Sequence, residues 1–319
     1  MALSIIIVNW NTKQLLHNCL RSIYENAKNI DFEIIVVDNA SSDGSVEMVK
    51  SEFPYIKLIE NQQNLGFATA NNQAIRQSCG SYILLLNSDT IIIDGAIERT
   101  LDFMEKHPES GAVGCRLLNS DRSLQHSCYN FGSLARAIIF NLKLDKTIFH
   151  NNENVQTLLK NWTHDEVRVV DYVRGAFLMM SKKALDDVGL LDEKFFMYAE
   201  EADICYRLKH AGWKIYFFPG AEVIHLGKQS SKSTEGEREI QQLVSRILFF
   251  RKQYGSFYAL IYKMLSVILS LLRIISSLWG FIDIGKSTSI KQELKKQLLR
   301  IKVIVRLEEA SNLRKRLLV

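Results

Sequence analysis

The sequence has 319 residues, of which 47% are hydrophobic and 24% charged, so the chain can bury a sizeable core and is neither disordered nor fibrous. Its formal net charge is +5, but ten Lys/Arg and three Glu lie from Lys286 onward, which puts +7 there and −2 on the preceding residues. Basic charge confined to one terminal segment argues against a nucleic-acid partner. Five scattered cysteines without a CxxC pair predict reduced thiols in the cytoplasm, and the N-terminus has no pattern of a secretory signal.

The first 115 residues alternate β-rich runs with helical patterns, which predicts an α/β domain. Four strands are predicted, at residues 4–8, 33–37, 56–59 and 82–86. Each of them ends in a polar residue, namely Asn9, Asp38, Asn61 and Asn87. Because ligands bind at the carboxyl ends of strands in open parallel sheets, these residues indicate the edge at which a site is expected.

The middle of the chain is less regular. Residues 116–172 are interpreted as elements on the side of the site that receives an acceptor substrate. A β-like run covers 167–173. A helix is predicted over 199–211, with Gly212 at the position after its C-terminus where glycine is favoured. Two further β-like runs follow at 213–218 and 221–224.

Residues 257–284 form a strongly apolar segment that is long enough to span a membrane. Its polar residues lie three or four positions apart, which predicts one narrow polar stripe; they are Lys263, Ser266, Ser270, Arg273, Ser277 and Gly280. A basic amphipathic pattern follows at 290–305. We therefore predict a body of residues 1–253 and a helical, basic extension of residues 254–319 that associates with an anionic membrane surface. The alternative is a soluble helical hairpin that covers the body.

Two acidic residues follow predicted strands. Asp38 begins the sequence DNASSDG, and its carboxylate can accept hydrogen bonds from a nucleobase or ribose. The alternative is that this segment is only a turn, because Asn, Ser, Asp and Gly are typical turn residues. Asp89 follows the most apolar strand, where a hard divalent ion and a diphosphate could share its carboxylate.

Two further candidate sites lie after residue 199, an acidic cluster and a histidine. Glu200, Glu201 and Asp203 occupy the first turn of one predicted helix, directly after the apolar run Phe-Phe-Met-Tyr at 195–198. An apolar approach raises a carboxyl pKa and suits the group to general-base chemistry. His225 ends a short strand and precedes a Gly/Lys/Ser loop, which indicates contact with a metal or a phosphate.

Seven segments occur in a fixed order: 4–11 (SIIIVNWN), 37–45 (VDNASSDGS), 64–72 (NLGFATANN), 84–90 (LLLNSDT), 174–179 (RGAFLM), 191–208 (LDEKFFMYAEEADICYRL) and 225–230 (HLGKQS). As a set they resemble the family-two inverting glycosyltransferases of the GT-A fold, particularly the rhamnosyltransferase-like branch. The resemblance spans about residues 3–253. It implies a mixed α/β sheet flanked by helices, a nucleotide-diphospho-sugar donor, Mg²⁺ or Mn²⁺, and a single displacement that inverts the anomeric carbon.

The resemblance also implies a role for each candidate. The nucleotide would contact Asp38 together with Asn9, Asn64 and Asn87, and the metal would be held by Asp89 and His225. Glu201, rather than Glu200, would deprotonate the acceptor hydroxyl, and Arg174 and Asp203 would position acceptor or donor sugar. These roles are carried over segment by segment from the motifs above.

The chain departs from the family pattern twice. Asn87-Ser88-Asp89 stands where the family has a DxD-type signature, and Glu200-Glu201 stands where Glu-Asp is usual. The resemblance implies a lipid-linked or saccharide acceptor and surface polysaccharide synthesis at the cytoplasmic face of the cell membrane, with rhamnose one candidate sugar. A sugar nucleotidyltransferase and a catalytically inactive sugar-nucleotide-binding or scaffold protein are the alternatives.

Overall fold

The computed structural model describes residues 1–131, 164–227, 235–279 and 287–305. Much of the interpreted region 116–172 and the loop after residue 227 thus lie outside the described residues. The described chain forms two compact units, one from residues 1–131 and 164–227 and the other from residues 235–279 and 287–305. The second unit begins before position 254; the functional boundary between 253 and 254 stays a prediction.

The strands of the first unit are short and are numbered here in chain order. They are β1 (Leu3–Asn9), β2 (Phe32–Asp38), β3 (Lys57–Glu60), β4 (Tyr82–Asn87), β5 (Thr90–Ile92), β6 (Ser110–Leu118), β7 (Leu124–Gln125), β8 (Cys128–Tyr129), β9 (Arg168–Val169), β10 (Tyr172–Val173), β11 (Phe177–Ser181) and β12 (Lys214–His225). The four strands predicted in the first 115 residues are therefore present.

One mixed sheet organises the first unit, in the order β3-β2-β1-β4-β11-β6-β12-β5, with β7 beside β6 and β9 beside β12. Strands β1 to β4 run parallel, β11 runs antiparallel to β4 and β6, and β12 is parallel to β6. The two runs predicted at 213–218 and 221–224 are one strand, whose register shifts between Phe218 and Glu222, where Pro219 and Gly220 interrupt regular pairing. The run at 167–173 is instead two short strands, β9 and β10.

The helices are, in the first unit, α1 (Lys13–Asn26), α2 (Ser45–Glu52), α3 (Phe67–Ile75), α4 (Ala96–Lys106), α5 (Lys182–Val188) and α6 (Glu200–His210), and in the second, α7 (Glu235–Tyr254), α8 (Ser256–Trp279) and α9 (Ser287–Val305). Alternation along β1 explains why helices cover both faces of the sheet. Ile5 and Ile7 belong to the core that includes Leu16 of α1, whereas Ile6 belongs to the core that includes Ala74 of α3.

The three helices of the second unit pack on one another, and α8 has an unusual distribution of side chains. Its exposed large apolar residues share one face; they are Phe257, Leu260, Met264, Ile268, Leu271, Leu272 and Ile275. Ser266 and Ser270, from the predicted polar stripe, are buried. The stretch Ser256–Ile275, with a mean hydropathy of 1.8, is long and apolar enough to cross a membrane by length and composition.

Candidate active site

The carboxyl ends of β1 and β2 bring two of the predicted nucleotide-binding residues together. Asn9 and Asp38 are partners in the parallel register, and Asn9 Nδ2 donates to Asp38 Oδ1 over 3.0 Å. The other Asp38 oxygen accepts from the Ser41 backbone N–H at 2.8 Å, which closes a turn. Asp38 is nearly buried at 3% exposure. Asp38 therefore both closes a turn and places a carboxylate at the edge of the sheet, the two alternatives that the sequence left open.

Asn64 lies in the loop that leads into α3. Its side-chain oxygen accepts from the Gly66 backbone N–H at 2.9 Å, so the residue shapes this loop. Asn87 lies instead beside the predicted metal ligands, with its Nδ2 3.4 Å from His225 Nε2. The four predicted nucleotide-binding residues therefore occupy three places along the sheet edge, and their contacts with a nucleotide stay predictions.

Asp89 and His225 meet although they are 136 positions apart, because β5, which follows Asp89, pairs with the end of β12. His225 Nε2 lies 3.3 Å from Asp89 Oδ1, and both residues are buried. The Leu226 backbone N–H donates to the Asp89 carbonyl at 2.9 Å, which fixes the two segments side by side. Asp89 Oδ1 has no hydrogen-bond partner within the described residues. A buried, unpaired carboxylate oxygen beside an imidazole nitrogen is a pair of donor atoms suited to a divalent ion.

Gln125, which sequence reasoning missed, connects this pair with the predicted sugar-binding arginine. Its Oε1 lies 2.5 Å from His225 Nδ1 and accepts from Arg174 Nη1 at 3.0 Å. Its Nε2 donates to the His225 carbonyl at 3.1 Å. Arg174 also lies over the Tyr129 ring, 5.9 Å from its centroid. One amide therefore links the Asp89–His225 pair to Arg174.

The carboxylate pair lies at the start of α6, beside Arg174. Burial, followed by the neighbouring Glu201 charge, raises the pKa of Glu200 well above its ordinary value. Burial also raises the pKa of Glu201, while Arg174 and a hydrogen bond from Glu200 act to lower it. Glu200 is therefore the group that keeps its proton longer and donates to Glu201, the more exposed of the two. This asymmetry leaves Glu201 as the carboxylate available for proton transfer.

The chain is strained just before this pair. Tyr198 and Ala199 both have left-handed φ angles, 70° and 68°, which non-glycine residues rarely adopt and which cost about 1–3 kcal/mol each. Nearby, the Phe67 backbone N–H donates to the Phe196 carbonyl at 2.7 Å. The loop before α3 therefore holds the strained segment that leads into α6, and two of the sequence segments singled out above meet here.

Asp203 is placed differently from its neighbours. Its side chain is fully buried, and its carboxylate accepts from Arg207 Nε one helical turn later at 2.9 Å. Arg207 also donates to the carbonyls of Val188, Gly189 and Leu190 after α5. Asp203 thus anchors α6 to the end of α5, and the sugar-positioning role stays a prediction. No cluster of three or more His, Cys, Asp or Glu side chains suited to a metal occurs in the part of the chain that the structure describes.

Comparison with known proteins agrees with this architecture. The solved structure of a mannosyltransferase from Pyrobaculum calidifontis, in complex with GDP-Man and Mn²⁺, matches 94% of this chain and 86% of its own, with a TM-score of 0.56 and 14% identity. The fold of the first unit is thus the GT-A glycosyltransferase fold that the sequence predicts.

The sequence comparisons specify the family. Residues 4–151 match the model of glycosyl transferase family 2. An N-acetylglucosaminyl-diphospho-decaprenol L-rhamnosyltransferase of Mycobacterium tuberculosis is 28% identical over 60% of this chain and 66% of its own. Rhamnosyltransferase WbbL of Escherichia coli K12 is 26% identical over 72% of this chain and 85% of its own. These matches support a family-two glycosyltransferase of the rhamnosyltransferase-like branch. The match covers just under two thirds of the mycobacterial relative's length.

Proposed function

We propose that the chain is an inverting, metal-dependent glycosyltransferase. It moves a sugar, with rhamnose the first candidate, from a nucleotide-diphospho-sugar to a hydroxyl of a lipid-linked or saccharide acceptor. The observation that carries the proposal is the unbroken series of neighbouring groups that runs from Asp89 and His225 through Gln125 and Arg174 to Glu201. Rhamnose is proposed because both relatives are named rhamnosyltransferases. A polyprenyl-diphosphate-linked acceptor is proposed because the name of the mycobacterial relative includes a diphospho-decaprenol.

Asp89 and His225 are the residues that would hold the divalent ion, Mg²⁺ or Mn²⁺. The fit rests on the unpaired Asp89 oxygen and on the imidazole nitrogen 3.3 Å from it. Mg²⁺ usually takes one or two carboxylates and completes its shell with water and substrate phosphates, which a pair of protein ligands allows. When bound, such an ion offsets the negative charge that develops on the leaving diphosphate.

Glu201 acts as the general base. It accepts the proton of the acceptor hydroxyl as that oxygen attacks the anomeric carbon, and the nucleoside diphosphate departs from the opposite face of the sugar. The C–O bond to the acceptor forms as the C–O bond to the diphosphate breaks, so that no covalent sugar–protein bond is needed. Glu200, which holds its proton, supplies the hydrogen bond that orients Glu201. Arg174 lies beside the base and is placed to hold a sugar hydroxyl or phosphate oxygen.

The test uses the full chain with a panel of UDP-, GDP- and dTDP-sugars, a polyprenyl-diphosphate-linked sugar as acceptor, and Mn²⁺ or Mg²⁺. Glu201→Gln is expected to lower turnover by roughly 10²–10⁴-fold, the usual contribution of a general base, with donor affinity unchanged. Glu200→Gln is the matched variant: its amide can still donate to Glu201, so most of the turnover should remain. Unchanged turnover in Glu201→Gln would refute the assignment of the base. A wild-type chain that binds donor but neither transfers nor hydrolyses it would favour the inactive alternative.

We further propose that the second unit rests on the cytoplasmic face of the cell membrane through the exposed apolar face of α8. A helix in water normally presents its polar face outward, whereas here large apolar side chains are exposed and Ser266 and Ser270 are buried. Contiguous exposed apolar surface of this kind marks an interaction site. The +7 charge that follows Ile284 would add attraction to anionic lipid.

Binding to vesicles tests this placement. Leu260 and Ile268 are 51% and 48% exposed, so replacing both with Asn removes roughly half of two buried-side-chain contributions, about 1.5–3 kcal/mol in all. That loss corresponds to roughly a 10–100-fold weaker partition into vesicles of phosphatidylglycerol and phosphatidylethanolamine. The control variant Tyr55→Asn/Val167→Asn replaces two exposed apolar residues of the first unit and should bind as wild type does. Equal binding of both double variants would contradict the assignment of this face.

A further inference from the structure

Gln125 occupies a position whose hydrogen-bond chemistry is fully determined by its neighbours. Arg174 Nη1 can only donate, so the Gln125 atom 3.0 Å from it is the amide oxygen. The His225 backbone carbonyl can only accept, so the Gln125 atom 3.1 Å from it is the amide nitrogen. Two independent partners therefore give the same orientation of the amide, and a third agrees, because Gln125 Nε2 also donates to Asn119 Oδ1 at 2.8 Å.

The orientation of the amide determines the tautomer of His225. Gln125 Oε1 can only accept, and His225 Nδ1 lies 2.5 Å from it, so Nδ1 must carry the proton. In the neutral ring the lone pair is then on Nε2. That nitrogen is the one 3.3 Å from the unpaired oxygen of Asp89. Both atoms of the pair consequently offer lone pairs to the same place.

We propose that Gln125 is a positioning residue that holds His225 in the Nδ1–H form and so keeps Nε2 available as a ligand for a divalent cation. The identity of the ligand rests on the proposed function, whereas the tautomer rests only on the hydrogen bonds of Gln125. Without an acceptor at position 125, the proton is better placed on Nε2, since it can then be donated to Asp89. That hydrogen bond would occupy both atoms that the cation needs.

The same amide oxygen also restrains Arg174, which lies beside Glu201. Because Oε1 accepts from His225 and Arg174 at once, the positions of the two donors depend on each other. Gln125 thereby joins the Asp89–His225 pair, proposed to hold the metal, with Arg174 beside the proposed base. Its backbone is fixed by pairing with Leu117 in the antiparallel β6–β7 ladder.

The tautomer is measured on the full chain by nitrogen-detected NMR of ¹⁵N-histidine-labelled protein at a pH where the ring is neutral, with His225→Gln used for assignment. Wild type is expected to show the proton of His225 on Nδ1, and Gln125→Met, which keeps the length and removes the acceptor, is expected to show it on Nε2. Wild type with the proton on Nε2 would overturn the inference, whatever the behaviour of the variants.

Binding of Mn²⁺ alone, followed by electron paramagnetic resonance of the free ion, gives the second measurement. Gln125→Met is expected to bind Mn²⁺ about 10–100-fold more weakly, the usual effect of losing the partner that orients a metal-binding histidine. Asn119→Ala is the matched control, because it removes a hydrogen bond to Gln125 Nε2 but leaves Oε1 in place, and its Mn²⁺ affinity should equal that of wild type.

The outcomes separate this inference from the proposed function. If wild type binds Mn²⁺ and Gln125→Met binds it equally well, the role of Gln125 is wrong and the metal site stands. If wild type shows the Nδ1–H tautomer but binds no Mn²⁺, the metal dependence in the proposed function is wrong. The inference that Gln125 sets the tautomer of His225 is then unaffected. If Asn119→Ala loses as much affinity as Gln125→Met, the effect is a general loss of local structure and the inference fails.

Discussion

Replacing Gly66 with Ala should lower the turnover, although Gly66 is not one of the proposed catalytic residues. Gly66 precedes α3 with φ 85° and ψ 172°, a conformation that is open essentially only to glycine and costs another residue about 1–3 kcal/mol. An added Cβ would lie 2.5 Å from the Phe196 carbonyl oxygen and 2.6 Å from its ring. Ordinary contact begins at 3.4 Å, so the Phe196 segment must move by about 0.9 Å.

That movement is passed to the carboxylate pair, because Phe196 lies four residues before Glu200 in the strained segment that enters α6. A displacement of ~1 Å at a reacting group costs roughly 10²-fold in rate. We therefore expect Gly66→Ala to lower kcat by about 10²-fold and the free energy of unfolding by at least the ~1–3 kcal/mol of backbone strain. Turnover is measured with saturating donor and acceptor, and the free energy of unfolding by urea titration.

Gly212→Ala is the control for strain without displacement. Gly212 also has a left-handed φ, 93°, and follows the C-terminus of α6, but nothing lies within 4 Å of its added Cβ. This variant should lose a similar ~1–2 kcal/mol of stability and keep its turnover. If Gly66→Ala turned over as fast as Gly212→Ala, the argument that the Gly66–Phe196 contact positions the base would be refuted.

Three further predictions concern the acidic residues of α6. The pKa of Glu200 is raised in the folded chain, so the free energy of unfolding falls as the pH rises from the ordinary carboxyl pKa to the raised one. Glu200→Gln should therefore be more stable than wild type at neutral pH and equal to it near pH ~4, as measured by urea unfolding at both pH values. The proposed base, Glu201, must be ionised to accept a proton. Because burial raises its pKa, the acidic limb of the wild-type pH–rate profile should lie above the ordinary glutamate pKa of 4.5. Arg207→Met removes the ion pair of the buried Asp203 carboxylate and should cost about 3–5 kcal/mol of unfolding free energy, part of which the additional change Asp203→Asn should restore.

Local signals in the sequence are enough to predict the sheet edge. Strands β1, β2 and β4 are short, mostly apolar runs that end in a polar residue, and parallel pairing brings such ends together whatever the intervening chain does. Asn9 and Asp38 are predicted correctly as neighbours for this reason. The carboxylate pair is predicted from local signals too, since an apolar run precedes acids in the first turn of a helix.

Gln125 could not be predicted in the same way. It lies in a two-residue strand, and the groups that give it meaning are Arg174 and His225, which are 49 and 100 positions away in the chain. A glutamine carries no charge, forms no periodic pattern here and belongs to none of the seven segments. Only the tertiary structure, in which β6 brings β7 beside the end of β12, gives this residue its two partners.

The second unit shows why periodicity alone does not give the orientation of a helix. The pattern of α8 predicts one polar and one apolar face, but it is silent about which face turns inward. The buried side of α8 carries Ser266 and Ser270 together with Ala259, Tyr262 and Leu269, and Arg246 of α7 contacts the Tyr262 hydroxyl.

Burying the Ser266 and Ser270 hydroxyls gains little in water, where apolar side chains at the same positions would stabilise the bundle more. It is favoured where the surroundings are themselves apolar, because lipid tails remove the hydrophobic drive between helices and leave polar pairing and close packing to hold them together. The exposed face of α8, with Phe257 at 76% exposure near one end and Ile275 at 52% near the other, is then the surface that such surroundings would cover. The buried serines and the exposed apolar face of α8 are both expected of a helix with apolar surroundings, and this is the physical reason for proposing that the unit rests in a membrane surface.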